Sequence, residues 1–360
     1  MAAQEKDRTL NGLGYPVIVA DSAGEPLAAF LRERDDRFAV VCDAAVREMA
    51  ERLTKSRRRL CVLPFSLGEH RKRLATVENV LDALAAAGAD RETLVVGVGG
   101  GVASDLFGLS ASLYMRGVPY AHVATSLVAM VDAAIGGKTG VDLRAGKNLV
   151  GTFRDPVAVF AYTGALRTLP FRHLREGLGE MVKHAIIEGG DVFESLETLA
   201  PHPFWRWPWE TVVADSIAVK TMIVREDREE RGARELLNLG HTFAHGIEAA
   251  SNYRVSHGAA VSIGLRAAGL LALATGRFSR DDHLRVLTLL TLLRLPVATR
   301  ESPVRVFAAM GADKKKRGGK LRFVLPRAIG DVENGVVVSD SSVLRVLRRI
   351  TQPPGGDEFR

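Results

Sequence analysis

Three histidines, a glutamate and a lysine lie at spacings that suit a metal centre. His241 and His245, in ELLNLGHTFAHGIE, stand four residues apart and share one face of a helix. His257 precedes a glycine in RVSHGAAV and opens a further apolar run. Glu180 and Lys183, in GLGEMVKHAI, share a face of a helix whose Leu178, Met181, Val182, Ala185 and Ile186 mark it as largely buried. The bland reading of that pair is a surface ion pair, but buried ionisable groups need a partner or a metal. Two histidines and one carboxylate from separate helices leave a fourth position open on zinc, the pattern of catalytic sites. Glu180, His241 and His257 are the preferred set, with His245 left for hydrogen bonding. Spacing alone also admits His245 or His184 as a ligand.

A second chemistry is suggested by LVVGVGGGVASDLFG, residues 94–108. An apolar strand runs into Gly97, Gly99, Gly100 and Gly101, and a helix begins near Ser104. Glycines let a backbone approach a pyrophosphate, and a helix N-terminus offers free N–H groups and a positive dipole end. The spacing is not GxGxxG, because Val102 or Ser104 occupies the third glycine's place. A structural glycine turn and a phosphate loop therefore stand equal here, and Asp105 is either a cap or a cofactor contact. In VDAAIGGKTGVDLRAGKN, Lys138 lies among glycines, and Lys147 and Asn148 follow another. Such loops suit phosphate or carboxylate. Asp132 stands where a Walker loop needs glycine.

These groups require two kinds of scaffold. PVIVA, FAVVCD, RLCVLPF, TLVVGVGG and YAHVAT read as strands, with EPLAAFLRER, AAVREMAERL and ATVENVLDALAAAG as helices between them. That alternation predicts a mostly parallel sheet covered by helices. Beyond about residue 165, helical periodicity dominates: LREGLGEMVKHAIIEG, DSIAVKTMIVREDRE, GHTFAHGIEAASN, AAVSIGLRAAGLLALAT and DDHLRVLTLLTLLRL. LRFVLP and VENGVVV read as a small hairpin. The predicted organisation is 1–165 as an α/β domain, 166–350 as a helical domain and 351–360 as a loose tail.

The 360 residues are 47% hydrophobic and 25% charged, which is ordinary for a globular protein with a sizeable core. The run AAVSIGLRAAGLLALAT is broken by Arg266 and reads as a buried helix rather than a membrane span. No signal peptide is evident in MAAQEKDRT. Cys42 and Cys61 lie in strand-like runs and read as free thiols of a reducing cytoplasm. The net charge is +7, yet aromatics are only 6% and the basic residues are scattered apart from KSRRR and KKKR. A small anionic substrate accounts for them, and neither nucleic acid nor membrane is expected as a partner.

The motifs GGGVASD, YMRGVP, VDAAIGGKTGV, GKNLVGTF, GLGEMVK, EERGARELLNLGHTFAH, SHG and DKKKRGGKLRFVLP occur in one order over nearly the whole chain. In this the chain resembles the 3-dehydroquinate synthases of the sugar phosphate cyclase superfamily. The resemblance implies a dehydroquinate synthase-like fold: an α/β N-terminal dinucleotide-binding domain plus a mainly α-helical C-terminal metal-binding domain, with the active site between them. It implies NAD, a divalent metal (zinc or cobalt) and a homodimer.

Position by position, the resemblance makes Glu180, His241 and His257 the metal ligands. Asp43 would hold the adenosine ribose. Glu69, Lys72, Gly101, Val102, Ala103, Ser104, Asp105, Thr125, Ser126 and the segment Ala165, Leu166, Arg167, Thr168 would line the cofactor. Lys138 and Lys147 match positions near both cofactor and substrate. A substrate carboxylate is implied near Lys138, Lys220 and Arg234, and its phosphate near Asn148, Lys183, Asn238 and Lys315. Arg116 matches an arginine donated to a neighbouring subunit. Asp132, Glu230 and His245 match polar residues supporting the site.

The implied reaction converts 3-deoxy-D-arabino-heptulosonate 7-phosphate, a small sugar-acid phosphate, to 3-dehydroquinate and phosphate in the shikimate pathway. Hydride would be lent to NAD and returned, so the enzyme is a lyase in net terms. The chain departs from the family pattern at Ala124, Tyr162 and Ala259, and reads GHTFAHG where most relatives read GHTFGHA. None of these removes an implied ligand or substrate-binding cation. The rival readings are another cyclase (amino-dehydroquinate, deoxy-inosose or epi-valiolone synthase) and a metal-dependent polyol dehydrogenase, which would accumulate reduced cofactor.

Overall fold

The computed structural model describes residues 7–34, 36–316, 320–355 and 358, with the backbone alone at 7 and 312–316. The chain divides into two compact units: Met1–Leu174 with Pro208–Arg225, and Arg175–Trp207 with Glu226–Arg360.

The first unit is wound around a seven-stranded sheet. In chain order it holds β1 (Asp7–Leu10), β2 (Val17–Ala20), α1 (Gly24–Glu33), β3 (Phe38–Asp43), α2 (Arg47–Leu53), β4 (Arg59–Phe65) and α3 (Leu74–Ala86). There follow β5 (Leu94–Gly99), α4 (Gly101–Leu113), β6 (Tyr120–Ala124), a hairpin of β7 (Lys138–Leu143) and β8 (Gly146–Phe153), and β9 (Ala158–Tyr162). The five strands and three helices expected before residue 125 all form with ends within two residues, except that AAVREMAERL begins with a 3-10 turn, Ala44–Val46, before α2.

The central strands are continuous apolar runs because both faces of the sheet are covered. Alternation along β3 sends Ala39 and Val41 to one face, against Val77, Val80 and Leu84 of α3 and Leu106 and Phe107 of α4. Phe38, Val40 and Cys42 face the other way, against Leu27 and Leu31 of α1 and Ala50 of α2. Full burial of each such Val, Leu or Phe side chain is worth about 1.5–3 kcal/mol.

The strand order is β1-β2-β9-β6-β5-β3-β4. From β3 the chain moves outward to β4, whereas from β5 it moves the opposite way to β6. The loops leaving β3 and β5 therefore diverge at the carboxyl ends of adjacent parallel strands, where ligands of doubly wound sheets bind.

The second unit is helical. It contains most of α5 (Phe171–Glu188), then α6 (Gly190–Leu199); α7 (Trp209–Glu226) returns to the first unit for all but its last residue. Next come α8 (His241–Ala250), α9 (His257–Ala274), α10 (Arg280–Leu292) and α11 (Pro303–Lys316). The antiparallel β10 (Phe323–Ala328) and β11 (Asp331–Val336) form the expected hairpin, and α12 (Asp340–Arg349) follows. Thirteen residues of α9 are buried, Arg266 among them, which accounts for its apolar length.

Three features differ from the expected organisation. The change of unit falls after Leu174 rather than at 165. The helix containing DSIAVKTMIVRE packs with the first unit, where Asp215 pairs with Arg8 and Lys220 with Asp132. Within the segment expected as a loose tail, Glu358 is buried against Arg266.

Candidate active-site residues in each unit

At the divergent loops of the first unit, Asp43 ends β3 beside Gly99, which ends β5. A Cβ on Gly99 would lie 3.4 Å from that of Asp43 and only 2.5 Å from that of Ala103 in the first turn of α4. Glycine is thus required by close approach of strand and helix. Gly101, Val102, Ala103, Ser104 and Asp105 form the start of α4, and no side chain caps it. Thr125 donates its N–H to the Gly99 carbonyl at 2.9 Å. The Ser126 hydroxyl is buried without a hydrogen bond, 3.0 Å from where a Gly100 Cβ would sit. A bare helix N-terminus, glycines in close contact and an unsatisfied hydroxyl form a cradle that fits a pyrophosphate.

Lys72 is the hub beside this cradle. Its buried ammonium lies 2.6 Å from Asp105 Oδ2 and donates to Asn148 Oδ1 at 2.5 Å. Burial raises the Asp105 carboxyl to about 6, with Lys72 opposing the rise. Asn148 adopts φ +52° in β8, and its N–H is taken by Asp142 Oδ1 at 2.8 Å. Asp142 in turn donates its N–H to the Lys72 carbonyl at 2.8 Å. Asp142 is a supporting residue that the sequence did not single out, since alternation in a short hairpin gives no hint of which carboxylate turns inward. Lys147 pairs with Glu69 at 2.8 Å. Lys138 opens β7.

Asp132 lies in a π-helical turn, Ala129–Ala133, a local distortion frequent at functional sites. Lys220 of α7 donates to the Asp132 carbonyl at 2.6 Å and to its carboxylate at 2.5 Å. Ala165, Leu166, Arg167 and Thr168 lie in or just after a 3-10 turn following β9. The Arg167 guanidinium is held by Asp21 at 2.7 Å. Arg116 sits in an exposed turn at φ +67°.

In the second unit, the preferred ligand set comes together. Glu180, His241 and His257 each offer one ligand atom, all within 4.8 Å of one another. The reason is legible in their neighbours: each adjoins a glycine at a helix crossing. A Cβ on Gly179 would lie 2.8 Å from the Gly258 carbonyl oxygen, and one on Gly258 would collide with the Glu176 backbone. A Cβ on Gly240 would lie 2.9 Å from the Leu265 N, so the start of α8 presses on α9. The start of α9 is further fixed by Glu176, which accepts the Gly258 N–H at 2.6 Å and the Ser256 hydroxyl.

The Glu180 carboxylate lies 3.2 Å from His257 Nε2 and 3.6 Å from His241 Nε2, and it pairs with Lys183. Burial alone would raise its pKa, but Lys183 and then the two histidines outweigh that and hold it well below the usual carboxylate range. Burial lowers His241 to about 3. Burial also acts to lower His257, but the Glu180 and Glu248 carboxylates push it up to about 10. With the His257 proton displaced from Nε2, two imidazoles and an ionised carboxylate form a donor set that fits a divalent cation of the zinc or cobalt type. The His245 ring lies 5.6 Å from that of His241, and neither it nor His184 belongs to the trio.

His241 also lines a cavity of about 200 Å³ with His245, Asn238 and Glu230. Asn238 donates to Glu230 Oε1 at 3.1 Å. Arg234 is buried, its guanidinium bound to the Arg228 carbonyl at 2.5 Å and its N–H to Asp227 at 3.1 Å. The side chain of Lys315 lies outside the described residues.

Residues 62–176 match the family model "3-dehydroquinate synthase N-terminal", and residues 177–316 match "3-dehydroquinate synthase C-terminal". The chain belongs to the 3-dehydroquinate synthase family. It is 38% identical to the 3-dehydroquinate synthase of Gloeobacter violaceus over 92% of this chain and 95% of that protein. The Solibacter usitatus 3-dehydroquinate synthase is 36% identical over 93% and 96%. Among solved structures, the 2-epi-5-epi-valiolone synthase of Streptomyces hygroscopicus, with NAD+ and Zn2+ bound, is similar at TM-score 0.84. It is 32% identical, covering 95% of this chain and 98% of that one. An iron-containing alcohol dehydrogenase from Corynebacterium glutamicum shares the fold at TM-score 0.66 and 12% identity, over 94% and 95% of the two chains.

Proposed function

We propose that the chain converts 3-deoxy-D-arabino-heptulosonate 7-phosphate to 3-dehydroquinate and phosphate, within the shikimate pathway that leads to aromatic amino acids. The observation that carries this reading is the Glu180–His241–His257 trio, one member of which lines a cavity with Asn238 and His245. When bound, NAD supplies a reversible hydride acceptor and a divalent cation supplies a Lewis acid, so the net reaction is phosphate elimination and ring closure.

The chain's own residues bind, orient and neutralise. Asp43 and the start of α4, with Ser126, receive the dinucleotide. Lys138, Lys220 and Arg234 meet the substrate carboxylate, and Asn148, Lys183, Asn238 and Lys315 meet its phosphate. The settings of Lys220, Asn148 and Asn238 favour this work, because these donors are fixed before substrate arrives. Asp132 holds the Lys220 ammonium, and Lys72 and Asp142 orient Asn148. Glu230 takes one amide N–H of Asn238 and leaves the remainder of that amide for the ligand.

The other cyclases of the superfamily are the nearest alternatives. Retention of the GGKTG loop, Arg234, Asn238, His245 and Lys315 favours the substrate that carries both carboxylate and phosphate. A homodimer and an Arg116 that serves the neighbouring subunit belong to the same reading. Exposed Leu113 and Met115 beside Arg116 support it. The free thiols of Cys42 and Cys61 support a cytoplasmic location.

The test is incubation of metal-loaded protein with NAD and the heptulosonate phosphate. Stoichiometric phosphate release with a product of the mass of 3-dehydroquinate is expected. Absence of phosphate, or NADH that accumulates with turnover, overturns the reading.

A further inference from the structure

Glu248 is buried at 2% exposure, yet neither the motifs nor the proposed reaction gives it a role. It lies on α8 seven residues after His241 and three after His245, so the three share one stripe of that helix. Across from it is the first residue of α9. His257 turns Nε2 toward the Glu180 carboxylate at 3.2 Å and Nδ1 toward Glu248 Oε2 at 3.6 Å. The ring therefore stands between two carboxylates that meet different nitrogens.

A neutral imidazole carries one N–H, and only its other nitrogen can ligate a metal. His241 has its tautomer set locally, because Nδ1 faces the Leu239 carbonyl at 3.2 Å and leaves Nε2 toward Glu180. At His257 the group that faces Nδ1 is the Glu248 carboxylate. We propose that Glu248 is a positioning residue for the metal centre, holding the proton of His257 on Nδ1 so that Nε2 presents its lone pair beside Glu180. Helix α8 then contributes one ligand directly and orients a second on α9. The negative charge of Glu248 also makes His257 a stronger donor to a divalent cation. This proposal rests on the trio's being the metal centre.

The experiment measures Zn2+ affinity of the full-length protein by competition with a chromophoric chelator, for the parent, Glu248→Gln, Glu248→Asp and Glu180→Gln. Glu248→Gln is expected to weaken Zn2+ binding by roughly 10–100-fold, with partial recovery in Glu248→Asp. Unchanged affinity in Glu248→Gln while Glu180→Gln loses Zn2+ overturns the role of Glu248 alone. Unchanged affinity in both overturns the metal-centre reading and this proposal with it. Imidazole 15N spectra of the Zn2+-loaded parent supply a readout that needs no variant to fold. They are expected to show His257 ligated through Nε2 with its proton on Nδ1, and ligation through Nδ1 overturns the proposal.

Discussion

Gly179 of α5 packs directly on the Gly258 carbonyl of α9, and their chain neighbours Glu180 and His257 are thereby brought to 3.2 Å. A helix crossing this close is possible only where neither helix carries a side chain. Gly258→Ala would drive a methyl group into the Glu176 backbone, which cannot move without shifting α5. The expected cost is about 1–3 kcal/mol of stability from overpacking. Zn2+ affinity should fall more than tenfold, because the two proposed ligands separate. Denaturant unfolding and chelator competition on the same preparation check both effects. Zn2+ binding equal to the parent's would show that the glycine contact does not set the ligand distance.

Gly99→Ala tests the nucleotide cradle in the same way. The new methyl would meet Ala103 Cβ at 2.5 Å and push the first turn of α4 away from β5. NAD affinity is expected to drop by at least tenfold, about 1.4 kcal/mol. Zn2+ affinity should be unchanged, since the trio lies in the other unit. Equilibrium dialysis with NAD and the chelator assay separate the two. Normal NAD binding would remove Gly99 from the site.

Much of this was readable beforehand because local pattern and burial agreed. The strands around Asp43 and Gly99 are apolar runs of strand length, and the helices between them show clear periodicity. What escaped the sequence has physical reasons. The β7–β8 hairpin, KTGVDL and GKNLVGTF, is interrupted by glycines, lysines and an asparagine at positive φ, so its alternation is too broken to read. Helix α7 has the periodicity of the helical half but packs with the sheet unit, a long-range choice that periodicity does not encode. The trio's residue types were visible, while the glycines beside them gained meaning only at the helix crossings. Glu248 was hidden because nothing in one helix reveals what lies opposite on another.

Two groups near α4 respond to acid in opposite senses. Burial lowers His122 to about 4, so the folded protein keeps it neutral while the unfolded chain protonates it near 6.5. Its stabilising contribution is therefore present above 6.5 and lost as pH falls through about 4. Asp105 is raised to about 6 from 3.8, so its contribution is complete below 3.8 and lost as pH rises through about 6. Each is worth on the order of 3 kcal/mol at most, and between pH 4 and 6 they oppose each other. Relative to the parent, His122→Asn should gain stability as pH falls from 6.5 to 4, and Asp105→Asn should lose it over 6 to 4. Urea midpoints of the NAD-free protein across that range give both slopes. Parallel curves for variant and parent would refute the assignment of either group.

The tail residue Glu358 closes an ionic cluster inside the second unit. Arg266, with no exposed surface, donates to its carboxylate at 2.8 and 2.6 Å and to the carbonyls of Val297 and Gln352 at 2.6 and 2.9 Å. His283 lies 3.4 Å from the same carboxylate. Burial would raise the Glu358 pKa, but Arg266 and then His283 outweigh it and bring it down to about 2. Its stabilisation is therefore present above 4.5 and lost only as pH falls through about 2. Glu358→Ala strands a buried guanidinium and should cost about 3–5 kcal/mol at pH 7. Adding Arg266→Met removes the stranded charge and should recover part of the loss. Recovery stays incomplete because the two carbonyls lose their donor. Unfolding followed by tryptophan fluorescence, with Trp207 buried in the same unit, reads the cycle. A Glu358→Ala variant within 1 kcal/mol of the parent would mean that the tail contributes no anchor in solution.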